Sequence, residues 1–170
     1  MIEKNKNNII LIGMPGAGKS TIGVLLAKAI TYNFIDTDIS IQQREKNQLY
    51  KIIDEMGLDA FIKIENDVLS RLEVDGCVIA TGGSAVYGQQ AMEHLRSIGT
   101  VVYIKLGLDE ILKRVNNITT RGIAMKKGMA LEDVYKERVP LYEKYADIIV
   151  DAEGTSIEEC VEKVVKRLAP

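Results

Sequence analysis

The chain has no tryptophan, a single histidine, two cysteines and only 5% aromatic residues. So little aromatic surface argues against a platform on which nucleobases stack. An excess of either charge is also missing. A formal net charge of -2 gives no basic footprint, so nucleic acid is not expected as a partner. Cys77, in the apolar "CVIA", and Cys160, in a helical pattern, lie far apart and match no metal or redox spacing. Both are expected to be buried thiols. His94 sits in the polar helical stretch "QQAMEHLRSIG" and reads as a surface residue rather than a catalytic one. No long hydrophobic run exists: "IILIG" is far too short for a membrane span or the core of a signal peptide. The expectation is a cytoplasmic protein with no membrane partner, and nothing in the sequence demands more than a monomer.

What is present is ordinary globular material, 170 residues with 46% hydrophobic and 27% charged. That length suits one domain, residues 1–170. Strand-like apolar runs recur at 9–13, 33–36, 77–80, 100–106 and 147–150. Between them lie helical patterns. Ile22, Leu25, Leu26 and Ala29 share one face of "KSTIGVLLAKAI", and Ile157, Cys160, Val161, Val164 and Leu168 share one face near the end. Ser156 and Glu159 have capping-box spacing. Strands alternating with helices predict an α/β fold with a mainly parallel sheet covered on both faces. Residues 38–72 read as a helical insert turning at Gly57. Residues 116–130, polar and basic with Lys126 and Lys127, read as a lid.

The most specific string is "GMPGAGKS". Gly13, Gly18, Lys19 and Ser20 satisfy G-x-x-x-x-G-K-[ST], between an apolar strand and an amphipathic helix. Backbone N–H groups of such a loop turn inward on phosphates, at the positive end of the helix. Gly16, Ala17, Gly18, Lys19, Ser20 and Thr21 are therefore assigned to a nucleoside triphosphate, Lys19 reaching the β and γ phosphates and Ser20 ligating Mg²⁺. The guanine-reading string N-K-x-D is absent, and the chain is short for a motor ATPase. Asp36 and Asp38, in "IDTDI", are expected at the carboxyl end of the second strand, where open α/β sheets hold ligands. One could support Mg²⁺ and the other orient an attacking hydroxyl, or Asp38 could cap the next helix.

With "GMPGAGKSTIG", "FIDTD", "IATGG" and "ERVPLYEKYAD" in order over nearly its full length, the chain resembles the shikimate kinase family. The resemblance implies a three-layer P-loop fold with a five-stranded parallel sheet, a helical substrate-binding insert and a lid. It implies transfer of phosphate from ATP, with Mg²⁺, to the 3-hydroxyl of shikimate. Carried over residue by residue, Asp36 stands in the outer shell of the metal, and Asp38 binds acceptor hydroxyls and acts as base. Gly82 and Gly83 offer N–H groups to the acceptor. Arg114 packs on adenine, Arg121 in the lid reaches the transferring phosphate, and Arg138 grips the acceptor carboxylate.

Three departures fall on the acceptor side. Ile62 stands where the family has a second carboxylate-gripping arginine, Ser84 where it has a third glycine, and "RGIA" where the lid arginine is followed by proline. A charged hydrogen bond is worth about 1.5 to 3 kcal/mol, so losing the arginine would weaken acceptor binding roughly 10- to 100-fold. Lys63 is adjacent but points about 100° away on a helix. The alternatives are a kinase for a different small hydroxy acid, or a nucleotide-binding module without turnover.

Overall fold

The computed structural model describes residues 6–116 and 123–170. The five apolar runs become strands β1 (Asn8–Ile12), β2 (Asn33–Asp36), β3 (Cys77–Ala80), β4 (Gly99–Lys105) and β5 (Ile148–Asp151). They form one sheet in the order β2-β3-β1-β4-β5, and every pairing is parallel. β1 lies at the centre with all five residues buried, which is why it reads as a continuous apolar run rather than an alternation. Eight helices are seen among the described residues: α1 (Lys19–Ile30), α2 (Thr37–Glu45), α3 (Leu49–Met56), α4 (Leu58–Ser70), α5 (Gln89–Ile98), α6 (Leu108–Asn116), α7 (Leu131–Tyr145) and α8 (Ile157–Leu168). α1 packs with α8 and α4 with α5, covering the two faces of the sheet. None of the described helices is long and apolar enough to cross a membrane.

Three strands are displaced by one residue from the sequence pattern, and polar side chains explain two of the shifts. Asn8 joins β1 although it is polar. Its buried amide donates to Val74 O and Ile98 O and accepts from Cys77 N, tying together the starts of neighbouring strands. Asp147 stays out of β5 because its carboxylate accepts from Val101 N instead.

The helical stretch expected at 38–72 begins one residue earlier and divides into three. Gly57 makes the expected turn at φ +87°. A second break, after α2, was not foreseen. Lys46 takes a left-handed conformation there, and Gln42 Oε1 accepts from Leu49 N at the head of α3. The capping box of α8 forms in full. Cys77 and Cys160 are free and buried, as their setting implied. His94 is half-buried rather than on the surface, its Nε2 lying 2.7 Å from Leu72 O.

The main core surrounds the sheet. A separate, smaller cluster joins Ile41 of α2, Ile52 of α3, Phe61 of α4 and Ala124. The three helices between β2 and β3 therefore share a cluster of their own, and α4 also reaches the main core through Leu69.

Candidate active site

One cavity of about 700 Å³ opens at the carboxyl ends of the strands, and most of the sequence-derived site residues line it. Its walls include Gly16, Gly18, Lys19, Ser20 and Thr21 from the first loop and helix. Asp38, Gly82, Gly83, Arg114 and Arg138 come from four other places in the chain. The parallel sheet makes this convergence possible. Every strand delivers its carboxyl end to the same edge, so loops distant in sequence meet there.

The glycine loop follows β1 directly. Gly18 caps α1 at φ +90°, a conformation that a side chain would strain, and no acidic residue occupies the first turn of α1. Lys19 is buried, its Nζ donating to Gly13 O at 2.7 Å and Met14 O at 2.8 Å. Burial lowers its ammonium to about 8, with Asp38 acting in the opposite direction. Ala17 is buried beneath the loop, its N–H bonded to Met14 O. Arg114, on α6, bonds Glu110 through Nε and donates from Nη1 to Gly16 O at 3.3 Å. It lies against the loop and is not a free surface charge.

The two aspartates divide differently from the sequence expectation. Asp36 ends β2 and caps α2, its Oδ1 accepting from Asp38 N at 3.0 Å. Asp38 is not on the strand at all; it lies in the first turn of α2, because the cap at Asp36 starts the helix there. Asp36 is thus the capping residue, and Asp38 is left free to face the cavity. Asp36 Oδ2 also accepts from Ser20 Oγ at 2.8 Å, joining the glycine loop to β2. Burial, reinforced by the neighbouring Asp36, raises the Asp38 carboxyl to about 6.

The turn after β3 is closely approached. A Cβ on Gly82 would lie 2.7 Å from Asp38 Oδ1 and 2.9 Å from Glu65 Oε1; one on Gly83 would lie 2.7 Å from Pro15 and 3.0 Å from Arg138 Nη1. A side chain at Gly83 would press on the Pro15 ring, and one at Gly82 would displace the Asp38 and Glu65 carboxylates. Tyr142 secures the turn from below, its hydroxyl donating to Gly83 O at 2.6 Å. Arg138 is only 1% exposed. Its Nε donates to Tyr87 Oη and its Nη2 to Ala124 O, while Nη1 has no partner.

Glu65 was missed in the sequence. It lies in α4 on the buried stripe Phe61, Glu65, Leu69, spaced by four, and is 1% exposed. A carboxylate at the middle of an apolar stripe is a legible signal, since burying a charge requires a reason. Its Oε2 accepts from Ser84 Oγ at 2.5 Å, and its Oε1 has no partner. Burial raises the carboxyl to about 7, opposed by the Ser84 hydrogen bond.

The departures also have places. Ile62 packs with the small cluster and lines a cavity of about 210 Å³ together with Arg138, Tyr87 and Ala124. Lys63 is exposed. Lys126 and Lys127 line a separate cavity of about 580 Å³ with Tyr50, Asp54 and Asp59. The expected lid at 116–130 is described only in part, and Arg121 and Gly122 lie outside the described residues.

Comparison with known proteins agrees with this geometry. The family model described as "Shikimate kinase" matches residues 15–169. A shikimate kinase of Francisella tularensis subsp. holarctica is 37% identical over 161 residues, 92% of each chain. A solved shikimate kinase from Acinetobacter baumannii, in complex with shikimate, superposes with a TM-score of 0.88 at 28% identity, covering 97% of this chain and 94% of that one. The shikimate kinase of Aquifex aeolicus superposes with a TM-score of 0.79 at 32% identity, covering 95% of both.

Proposed function

The chain belongs to the shikimate kinase family, and from that premise we propose how its residues divide the work of moving phosphate from ATP to a hydroxyl of shikimate. It is an ATP-dependent small-molecule kinase. The observation that supports the division is the single cavity lined by Lys19 and the glycine loop on one side and by Asp38, Gly82, Gly83 and Arg138 on the other. Residues 1–170 act as one kinase domain, with a helical substrate-binding insert at about 38–72 and a lid at about 116–130.

On the nucleotide side, Gly16, Gly18 and Thr21 present backbone N–H groups to the phosphates, while Ala17, its N–H bonded to Met14 O, holds the loop from beneath. Lys19 exchanges its two loop carbonyls for phosphate oxygens. Arg114 stacks on the adenine. The Ser20 hydroxyl and Asp36 carboxylate, 2.8 Å apart, are hard oxygen donors of the kind Mg²⁺ prefers. Mg²⁺ bound there would neutralise phosphate charge.

On the acceptor side, the unpartnered Nη1 of Arg138 takes the carboxylate, and Gly82 and Gly83 donate N–H groups to acceptor oxygens. Asp38 orients the attacking hydroxyl and accepts its proton. With its carboxyl at about 6 it is still ionised at neutral pH, and a stronger base than an ordinary aspartate. A bond forms between the acceptor oxygen and the γ-phosphorus, the γ-phosphorus bond to the β-γ bridging oxygen breaks, and ADP leaves. The proton passes from the hydroxyl to Asp38. Arg121, outside the described residues, is assigned to the transferring phosphoryl group. Closure over the pair excludes water, so that the acceptor rather than solvent is phosphorylated. The protein works as a cytoplasmic monomer, without nucleic acid or membrane.

Shikimate is favoured over another hydroxy acid, and turnover over a silent nucleotide-binding module, by family membership and by the intact Lys19 and Asp38. Phosphorus NMR of protein, ATP and shikimate tests this, with and without Mg²⁺. Equal amounts of ADP and a new phosphate monoester, formed only with Mg²⁺, are expected. ADP with inorganic phosphate and no ester would sink the proposal.

A further inference from the structure

Two buried polar atoms of opposite charge lie unpartnered beside one turn. Glu65 Oε1 abuts Gly82, Arg138 Nη1 abuts Gly83, and no ion pair joins the two residues. The Ser84 hydroxyl gives Glu65 its one side-chain hydrogen bond. In a low-dielectric interior, such a carboxylate keeps its charge only through hydrogen bonds donated to it and the field of cations nearby.

We infer that an acceptor carboxylate bound at Arg138 is coupled to uptake of one proton from solvent by Glu65, making acceptor affinity depend on pH. The inference rests on the proposed role of Arg138 as the carboxylate's partner. In the free protein, Arg138 of α7 and Lys19 of α1 favour ionised Glu65, while burial and Asp38 of α2 oppose it. An anion on Arg138 cancels the first of the two favourable charges, and burial and Asp38 remain. Glu65 then binds a proton more tightly, and its O–H becomes a donor at no charge.

The other elements packed on α4 bring no competing charge onto Glu65. On α5, His94 contacts Leu72 O, Glu93 bonds Gln89, and Arg96 pairs with Asp147. On α3, Asp54 lines the cavity beside Lys126 and Glu55 bonds Asn47. Arg44 of α2 and Arg71 pair with Asp67. Tyr87, in the 3₁₀ turn Ala85–Tyr87, faces Arg138 and Glu137. Ile62, one turn before Glu65 on the same helix, offers no cation either.

The sign follows from linkage. A proton taken up on binding leaves affinity flat below the free-state value, about 7 for Glu65. Above it, affinity falls by at most about tenfold per pH unit. Calorimetric titration with shikimate, without nucleotide, in buffers of different ionisation heat between pH 6 and 9, reads this proton directly. Wild-type protein is expected to take up a proton around pH 7 that Glu65→Gln does not; Lys19, at about 8 and also relieved of the Arg138 charge, adds an uptake at higher pH that is common to both. Ser84→Ala loses the hydrogen bond that favours the charged form, so its window moves to higher pH; this arm serves if Glu65→Gln does not fold. Shikimate binding without proton uptake, uptake undiminished in Glu65→Gln, or an unmoved window in Ser84→Ala would each overturn the coupling. Those outcomes leave the acceptor site itself standing. Loss of coupling because shikimate does not bind, or binds Arg138→Ala as tightly, would instead overturn the reading of the site and the coupling with it.

Discussion

The nucleotide half and the acceptor half of the cavity are built on different principles. The nucleotide half is one continuous stretch, residues 13–21, set between the central strand and a helix whose apolar face joins the main core. Its polar groups already have partners: Lys19 on two loop carbonyls, Ser20 on Asp36, Arg114 on Glu110 and Gly16. The acceptor half is gathered from α2, α4, the turn after β3 and α7. A small separate cluster joins three helices of its surround, of which only α4 also reaches the main core, and buried atoms of Glu65 and Arg138 stand without partners. A site for a common ligand is preformed from local backbone, whereas a site for a particular acceptor is assembled from distant side chains and left unsatisfied until the acceptor arrives.

The largest effect that would sharpen this contrast is at Lys19. Lys19→Ala should lower phosphoryl transfer by orders of magnitude while leaving far-UV circular dichroism unchanged, because its hydrogen bonds serve the loop and not the core. Next comes the acceptor side. Asp38→Asn should reduce kcat by about 10²- to 10⁴-fold with the ATP dissociation constant unchanged, read by single-turnover assay and nucleotide titration. An equal loss of ATP affinity would break the division between the halves.

A third test concerns stability and pH. Glu65 has a folded-state value of about 7 against an ordinary 4.5. A carboxyl raised on folding adds stability below its unfolded value, and that stability is lost as pH rises through the folded value. The loss between pH 4.5 and 7 is up to about 3 kcal/mol. Glu65→Gln should therefore gain stability relative to wild type by about that amount between pH 4.5 and 8, in urea unfolding curves. An unchanged difference would mean that Glu65 is not held as its burial implies. The smallest effect is at Ile62. Because Ile62 and Arg138 line one cavity, Ile62→Arg should lower KM for shikimate roughly tenfold and leave KM for ATP alone.

The same contrast governs what could be read from the sequence. The glycine loop, the β2 aspartates and the strand runs are local patterns, so they were legible before any contact was known. The end of β2 was legible too, but not that Asp36 would cap α2 and move Asp38 into the helix, since either aspartate satisfies a cap. The break after α2 depends on Gln42 reaching Leu49 N, a contact seven residues apart that has no fixed spacing rule. Glu65 went unseen although its place between Phe61 and Leu69 marked it. Its meaning comes from Ser84 and Gly82, which approach it only in the fold. Ile62, Ser84 and "RGIA" were visible as departures, and for Ile62 and Ser84 geometry supplied their neighbours.

Steady-state ADP formation with shikimate, with its methyl ester and with no acceptor bears most directly on a preformed nucleotide half serving an acceptor half held by Arg138. Saturable, acceptor-dependent turnover is expected, with KM for the ester raised at least tenfold over shikimate and KM for ATP the same with both. ADP release independent of acceptor, or equal KM for acid and ester, would contradict it.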